Sequence, residues 1–357
     1  MAVPKEYEII GGSKVGSFTM VYKVRHKELG YVRAIRVLKD HIFADNEEEL
    51  KKNEIYKKFL RETEKLLKLG NGSHPHIESI NTFGTFQDPD YPSEHIAYWE
   101  LNYIQGDNLD EYLEKNGKFV PVEEIILMAE QISSALAYCH EDAYRFLMDP
   151  DKDKLPEDCI VGYVVKDAEK RKTLIDKYKV IHNDIHLKNI LRRIYGNYLL
   201  IDFGMAVEGK EASTLSRRHG GAEISRAPEL WNSDGSVKPT TQTDVYSFGV
   251  TLYAFLAGCY PFPYDESLKD GHLHLMPPPI EPIRKEFYEK KFPGEAYKRD
   301  YPQWLEDAIM KCLEKNPADR FRNGKELYEY IMAEIGRENS KHRESCYVDD
   351  CKGRETS

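Results

Sequence analysis

Between Val180 and Gly204 the chain sets two acid-bearing runs around a stretch that reads as a hairpin. The runs are His182-Asn183-Asp184-Ile185-His186-Leu187-Lys188-Asn189 and Leu200-Ile201-Asp202-Phe203-Gly204. Phosphoryl transfer asks for a carboxylate that orients the attacking hydroxyl, oxygen ligands for Mg²⁺, and positive charge against the phosphates. Asp184 supplies the carboxylate, Asn189 and Asp202 supply the oxygens, and a nearby cation completes the set. A turn with two capping aspartates explains either run alone. The two runs together favour the phosphoryl-transfer chemistry.

These groups need elements to hold them. From Tyr7 to Lys39 the sequence is β-branched and broken by Gly11-Gly12, Gly16 and Gly30, which predicts a three-strand antiparallel meander ending in a strand over Tyr31 to Leu38. Asp45 to Leu69 carries Phe59, Leu66 and Leu69 at helical spacing, with Glu62 on the same face. A carboxylate on a buried face needs a cationic partner. Further strand-like runs end at Ala97-Tyr98-Trp99-Glu100-Leu101. A connector then follows near Asn102 to Asp107. Beyond it the pattern is helical: Ile125, Ala129, Ile132, Leu136 and Cys139 form one buried stripe. Glu141 to Tyr178 is dense in charge around a small apolar patch and looks inserted, offering a possible partner surface. Glu338 to Ser357 is polar and unpatterned, as expected of a frayed tail.

Composition narrows the class. A length of 357 residues suits two lobes. The hydrophobic fraction of 41% and charged fraction of 31% describe a globular protein with a strongly charged surface. A formal net charge of -10 argues against a nucleic-acid partner, because such binders present basic faces that displace counterions. The six cysteines show no CxxC pairing, so neither a zinc site nor a disulfide framework is expected, and a reducing cytoplasm fits. Met1-Ala2-Val3-Pro4-Lys5 is not an apolar leader, and no apolar run nears the roughly 18 residues needed to span a bilayer. A cytoplasmic location without a membrane segment is the expectation.

The two acidic runs resemble the catalytic loop H-R-D-x-x-x-x-N and the D-F-G motif of the protein kinase superfamily. Ala227-Pro228-Glu229, Asp244-Val245-Tyr246-Ser247-Phe248-Gly249, Gly258-Cys259-Tyr260-Pro261-Phe262 and Asn316-Pro317-Ala318-Asp319-Arg320-Phe321 follow in the family's order. The resemblance covers about Tyr7 to Ile335. It implies an α+β, bilobal fold: a small antiparallel β-rich N-lobe over 1–102, then a hinge and mainly helical C-lobe over 103–337 containing the insert 141–178, and a tail over 338–357. It also implies ATP and Mg²⁺ as cofactors and a protein as substrate. By resemblance Asp184 is the base or orienter, Asn189 and Asp202 hold the metal, and Arg320 pairs with Glu229. Val15, Gly16 and Ser17 lie on the glycine loop, and Val21 and Ala34 line the adenine site. Leu101 is the gatekeeper, with Asn102, Tyr103 and Ile104 as hinge.

Several positions depart from the family pattern. Lys14 and Thr19 replace the outer glycines of the phosphate loop, which stiffens it. Arg33-Ala34-Ile35-Arg36-Val37 stands where the family has V-A-I-K, so Arg36 takes the lysine's place with Glu62 as its expected partner. Guanidinium is longer and planar, and the exchange is not conservative. Lys14 or Lys23 is a weaker candidate for the displaced cation. Asn183 replaces the arginine that meets a phosphorylated activation loop, so Ser213, Thr214 and Ser216 are expected to be solvated rather than a switch. His186 stands where Ser/Thr kinases carry lysine, either bonding phosphate or packing. Lys188 brings a positive charge four residues past Asp184. Ala222 replaces the usual threonine. The reading is an ATP-dependent protein kinase acting on Ser/Thr hydroxyls, slowed by Arg36. The alternatives are a nucleotide-binding pseudokinase scaffold and a small-molecule phosphotransferase, the latter suggested by Asp184-Ile185-His186.

Overall fold

The structure is a computed structural model that describes residues 3–15, 19–70, 74–88, 91, 93–147, 160–161, 164–165, 167–209, 222–231 and 237–354. The chain divides into two compact units, Met1–Gly106 and Asp107–Ser357.

The first unit is built on an antiparallel sheet. Its strands are β1 (Tyr7–Val15), β2 (Thr19–His26), β3 (Val32–Leu38), β4 (Ile42–Phe43), β5 (Ile80–Gln87) and β6 (Glu94–Asn102), in the order β1-β2-β3-β6-β4 with β5 paired to β6. The period-two pattern sorts side chains to two faces. Tyr22, Val24, Ile35, Val37 and Ile96 pack with Tyr7 on one face as a hydrophobic cluster. On the opposite face Val21 stands across from Arg36, Arg36 from Trp99, and Ala34 from Leu101.

Two helices lie between β4 and β5: α1 (Glu47–Lys52) and α2 (Glu54–Gly70). The helical run expected from Asp45 onward is therefore broken, at Asn53. Its backbone is extended (φ −65°, ψ 133°), and its side-chain oxygen accepts the Ile55 N–H at 2.9 Å. Asparagine competes for backbone amides in this way, which favours a new N-cap over continuing the helix. The apolar face of α2 forms as its spacing predicts, with Phe59, Leu66 and Leu69 buried. Phe59 packs on Trp99 with ring centroids 4.8 Å apart, and the Trp99 indole donates to Thr63 Oγ1 at 2.7 Å.

Strand β7 (Gly106–Asn108) straddles the boundary, and the second unit continues with α3 (Leu109–Lys115) and α4 (Val122–Ala137), which runs into a π-turn at Tyr138–Asp142 and a short α5 (Tyr144–Leu147). Two-residue strands β8 (Ile160–Val161) and β9 (Val164–Val165) precede α6 (Ala168–Tyr178) and β10 (Val180–Ile181). The hairpin between the acidic runs is β11 (Ile190–Arg193) with β12 (Tyr198–Leu200), followed by β13 (Val207–Glu208), which pairs with β10. The remaining helices are α7 (Thr241–Ala257), α8 (Leu268–His274), α9 (Ile280–Lys291), α10 (Gln303–Cys312) and α11 (Gly324–Arg354).

Helix α7 is the spine of this unit, buried from Thr243 through Ala257. A helix apolar on every side must be surrounded, and α4, α9, α10 and α11 pack around it. The stripe Ile125, Ala129, Ile132, Leu136 and Cys139 is fully buried, so the spacing located the core face of α4. Helix α11 runs through Arg354, into the polar segment that begins at Glu338. From Arg337 to Arg354 it contains no proline and several strong helix formers, so nothing local stops it.

Candidate active site

The loop that carries Asp184 is organised by one buried acid. Asp244, in the first turn of α7, is fully buried and accepts three hydrogen bonds. The His182 N–H reaches Oδ2 at 2.7 Å, the Asn183 N–H reaches Oδ1 at 2.8 Å, and His140 Nε2 donates to Oδ2 at 3.0 Å. These bonds pin the two residues before Asp184. Asn183 sits in the left-handed region at φ +62°, where asparagine is tolerated better than most side chains. The His182 ring bridges onward: its Nε2 donates to the Ile201 carbonyl at 3.0 Å, and its Nδ1 accepts the Asp184 N–H at 3.3 Å. The Phe203 ring stands edge-on to it, 4.6 Å between centroids.

Asp184 follows from that anchoring. Its Oδ2 accepts from Asn189 Nδ2 at 3.0 Å, its Oδ1 accepts the Ala222 N–H at 2.7 Å, and His186 Nε2 stands 3.6 Å from Oδ1. Burial pushes the Asp184 carboxyl up, but His186, His182 and the Ala222 amide outweigh it and hold the group below its ordinary value. It is a carboxylate at neutral pH. His186 Nδ1 accepts the Lys188 N–H at 3.3 Å, which leaves Nε2 as the donor directed at Asp184. Lys188 is largely exposed, with Nζ 3.9 Å from Asp110 on α3.

Asn189 Nδ2 is committed to the Asp184 carboxylate and, at 2.8 Å, to the Asp184 carbonyl. The amide orientation that satisfies both bonds turns Oδ1 away as a free acceptor. The Ile201 N–H donates to the Asn189 carbonyl at 3.0 Å, which ties the residue before Asp202 to the loop. Asp202 itself has φ +63°, and its Oδ1 accepts the Gly204 N–H at 3.3 Å. One amide oxygen and one carboxylate suit Mg²⁺, a hard ion that takes few protein ligands and completes its shell with water and substrate phosphate. Among the described residues no cluster of three His, Cys, Asp or Glu forms a closed metal cage.

In the first unit Arg36 is buried on β3, and its Nη2 donates to Glu78 Oε1 at 2.9 Å. Both side chains of that pair are about 8% exposed. Glu78 belongs to no motif in the sequence and precedes β5 by two residues; it was not singled out by spacing. Glu62 is half-buried on α2, with Lys58 Nζ 3.5 Å away. Ala34 and Leu101 face each other across β3 and β6, and Asn102 Oδ1 accepts from Asn81 at 3.0 Å. Lys23 Nζ stands over the Tyr103 ring at 4.3 Å. Ile104 follows β6 in the connecting segment. Gly16 and Ser17 lie outside the described residues, as does the Val15 side chain, and so do Ser213, Thr214 and Ser216.

Behind the loop, Arg320 is wholly buried and spends all five donors. Nη1 and Nη2 fork onto Glu229 at 3.0 and 2.9 Å, and the rest reach the carbonyls of Glu314, Gln242 and Lys315. The Glu229–Arg320 pairing expected from the resemblance is formed. Residues 6–147 and 172–329 match the protein kinase domain family. The chain belongs to that family.

This kinase domain is 25% identical over 323 residues to a probable serine/threonine-protein kinase of Clostridium perfringens, an alignment covering 90% of this chain and 37% of that protein. It is 25% identical over 321 residues to the serine/threonine-protein kinase PrkC of Bacillus subtilis, covering 89% and 38%. With the serine/threonine-protein kinase PkaA of Streptomyces coelicolor it shares 28% over 296 residues, covering 82% and 41%. The chain thus spans about two-fifths of the length of these three relatives. The family match breaks between residues 147 and 172, inside the segment 141–178 that composition set apart. Among the described residues no helix is long and apolar enough to cross a membrane.

Proposed function

We propose that this kinase domain transfers the γ-phosphate of ATP, with Mg²⁺, to Ser or Thr hydroxyls of a protein substrate. The observation that carries the reading is the Asp184 carboxylate: ionised, fixed by Asn189 Nδ2, and anchored through the Asp244 clamp on the preceding amides. Such a carboxylate orients a substrate hydroxyl and accepts its hydrogen bond. Asn189 Oδ1 and Asp202 would hold the metal, which when bound neutralises charge on the phosphates. His186 directs a donor toward the same carboxylate and stands where a lysine serves in Ser/Thr kinases, so its Nε2–H is suited to steady either Asp184 or a phosphate oxygen. The serine/threonine-kinase names of the similar proteins support the hydroxyl class.

Incubation with labelled ATP and Mg²⁺, wild type against Asp184→Ala, tests the reading. Label transfer is expected from wild type alone; equal transfer by both ends the proposal.

A second reading has one observation behind it. Arg36 is buried in an ion pair with Glu78, an arrangement that suits a rigid nucleotide-binding scaffold as well as an enzyme. Mg²⁺-dependent turnover that Asp202→Ala abolishes would dispose of a scaffold without catalysis.

A further inference from the structure

A cavity of about 640 Å³ opens in the second unit, walled by the π-turn after α4, by α6 and by the first residues of α7 and α11. It uses none of residues 182–189 or 202, so it is not part of the catalytic loop. Six of its lining residues are basic: Arg145, Arg171, Lys172, Lys179, Arg322 and Lys325. Three are acidic: Glu141, Asp142 and Asp176. The whole chain has the opposite balance, 51 Lys and Arg against 61 Asp and Glu.

The three acids each neutralise one wall cation. Lys325 is 3.2 Å from Glu141, Arg145 is 2.9 Å from Asp142, and Lys179 is 3.0 Å from Asp176. The surplus charge falls on Arg171 and Lys172, with Arg322 beside an acid outside the wall. Arg171 and Lys172 are adjacent on α6 and enter no ion pair among the described residues. Arg322 is 79% exposed and lies 3.7 Å from Glu326. Thr241 and Gln242 open α7, a helix of 17 residues, and Asn323 and Lys325 open α11. Helix N-termini add to the positive potential. Two wall residues also carry buried polar atoms without a hydrogen-bond partner among the described residues: the Tyr144 hydroxyl and Arg145 Nε.

We propose that this cavity binds a small polyphosphate anion, at a site separate from the one proposed for ATP transfer. The volume is that of a small-molecule site. Two wall cations without an acidic partner, Arg171 and Lys172, call for a ligand with more than one negative charge, and guanidinium and ammonium groups bond phosphate oxygens strongly. The helix that contributes most of the wall, α6, lies in the charged segment 141–178 that the kinase chemistry leaves without a role.

Titration calorimetry of the full chain with sodium tripolyphosphate, without Mg²⁺, tests the site. One equivalent is expected to bind both wild type and Asp202→Ala, with affinity falling as NaCl rises. The double variant Arg171→Glu/Lys172→Glu should weaken binding about tenfold or more, the loss expected from removing charge-assisted hydrogen bonds. Arg322→Glu, on a different element, should weaken it in the same direction, so misfolding of one variant does not decide the matter. Absence of binding, or unchanged affinity in both charge-reversal variants, overturns the proposal. Tighter binding of a singly phosphorylated serine peptide than of tripolyphosphate also overturns it, by giving the cavity to a protein partner.

Discussion

Asp244→Asn should uncouple the catalytic loop from α7 while changing almost no volume. The carboxylate now accepts two backbone N–H groups and one imidazole N–H, at 2.7, 2.8 and 3.0 Å, with no solvent access. An asparagine offers one oxygen and one NH₂ in the same place. Its oxygen keeps the bonds on one side as neutral ones, and its NH₂ confronts a donor on the other. Buried hydrogen bonds to a charged group contribute about 1.5–3 kcal/mol each, and a stranded buried donor costs about 1–3 kcal/mol. Allowing for the bonds retained, the loss comes to about 3–5 kcal/mol. Asn183, held at φ +62° by that carboxylate, is then free to relax, and Asp184 is the next residue. Urea unfolding followed by tryptophan fluorescence measures the first effect, and label transfer from ATP measures the second. Both should fall together, turnover by about a hundredfold or more if positioning is lost. A variant within about 0.5 kcal/mol of wild type, the range of inconsequential surface changes, with intact turnover would refute the assignment of Asp244 as the organiser of the loop.

Three further outcomes are expected. Arg320→Lys keeps the charge but replaces five donors in a planar fork with three, so it should cost about 2–4 kcal/mol in urea unfolding; a neutral result would mean the carbonyls of Glu314, Gln242 and Lys315 find other donors. Glu78→Gln removes the negative charge facing buried Arg36 and should destabilise the protein by about 2 kcal/mol, read as a lower urea midpoint at unchanged slope. Stability should also fall on acidification between about pH 6.5 and 4. Burial, aided by the charge of Lys315, holds the His272 imidazole down to about 4 from its ordinary 6.5. The unfolded chain therefore takes up a proton that the folded one refuses, stability is fully present above the higher value, and about 3 kcal/mol is lost once pH reaches the lower. His272→Gln should flatten that slope in urea midpoints recorded from pH 7 to pH 4; an unaltered slope would assign it to other groups.

The ordered motifs made the family and the α+β fold legible before any coordinates, because each motif places a charged or small residue where only one kind of scaffold uses it. The α4 stripe and the α2 face were equally legible, since a 3.6-residue period is a local property and every apolar member proved buried. Asp184 and Asn189 lie five positions apart in sequence, and one tight loop lets Asn189 Nδ2 reach the Asp184 carboxylate.

Tertiary structure decided the rest. Glu78 lies 42 residues from Arg36 and has no motif, so nothing local announces the pair. His140, 104 residues from Asp244, could be found only by seeing the π-turn swing its ring under the loop. Asn53 broke a helix that apolar spacing continues, because a side-chain cap competes with the backbone at a scale periodicity does not resolve. The cavity beside α6 shows the same division: the sequence displays the basic residues of that segment but not that Arg322 and Lys325, some 150 residues later, share their wall. Side-chain type and spacing fix what a residue can do; partners brought together by long-range packing fix what it does.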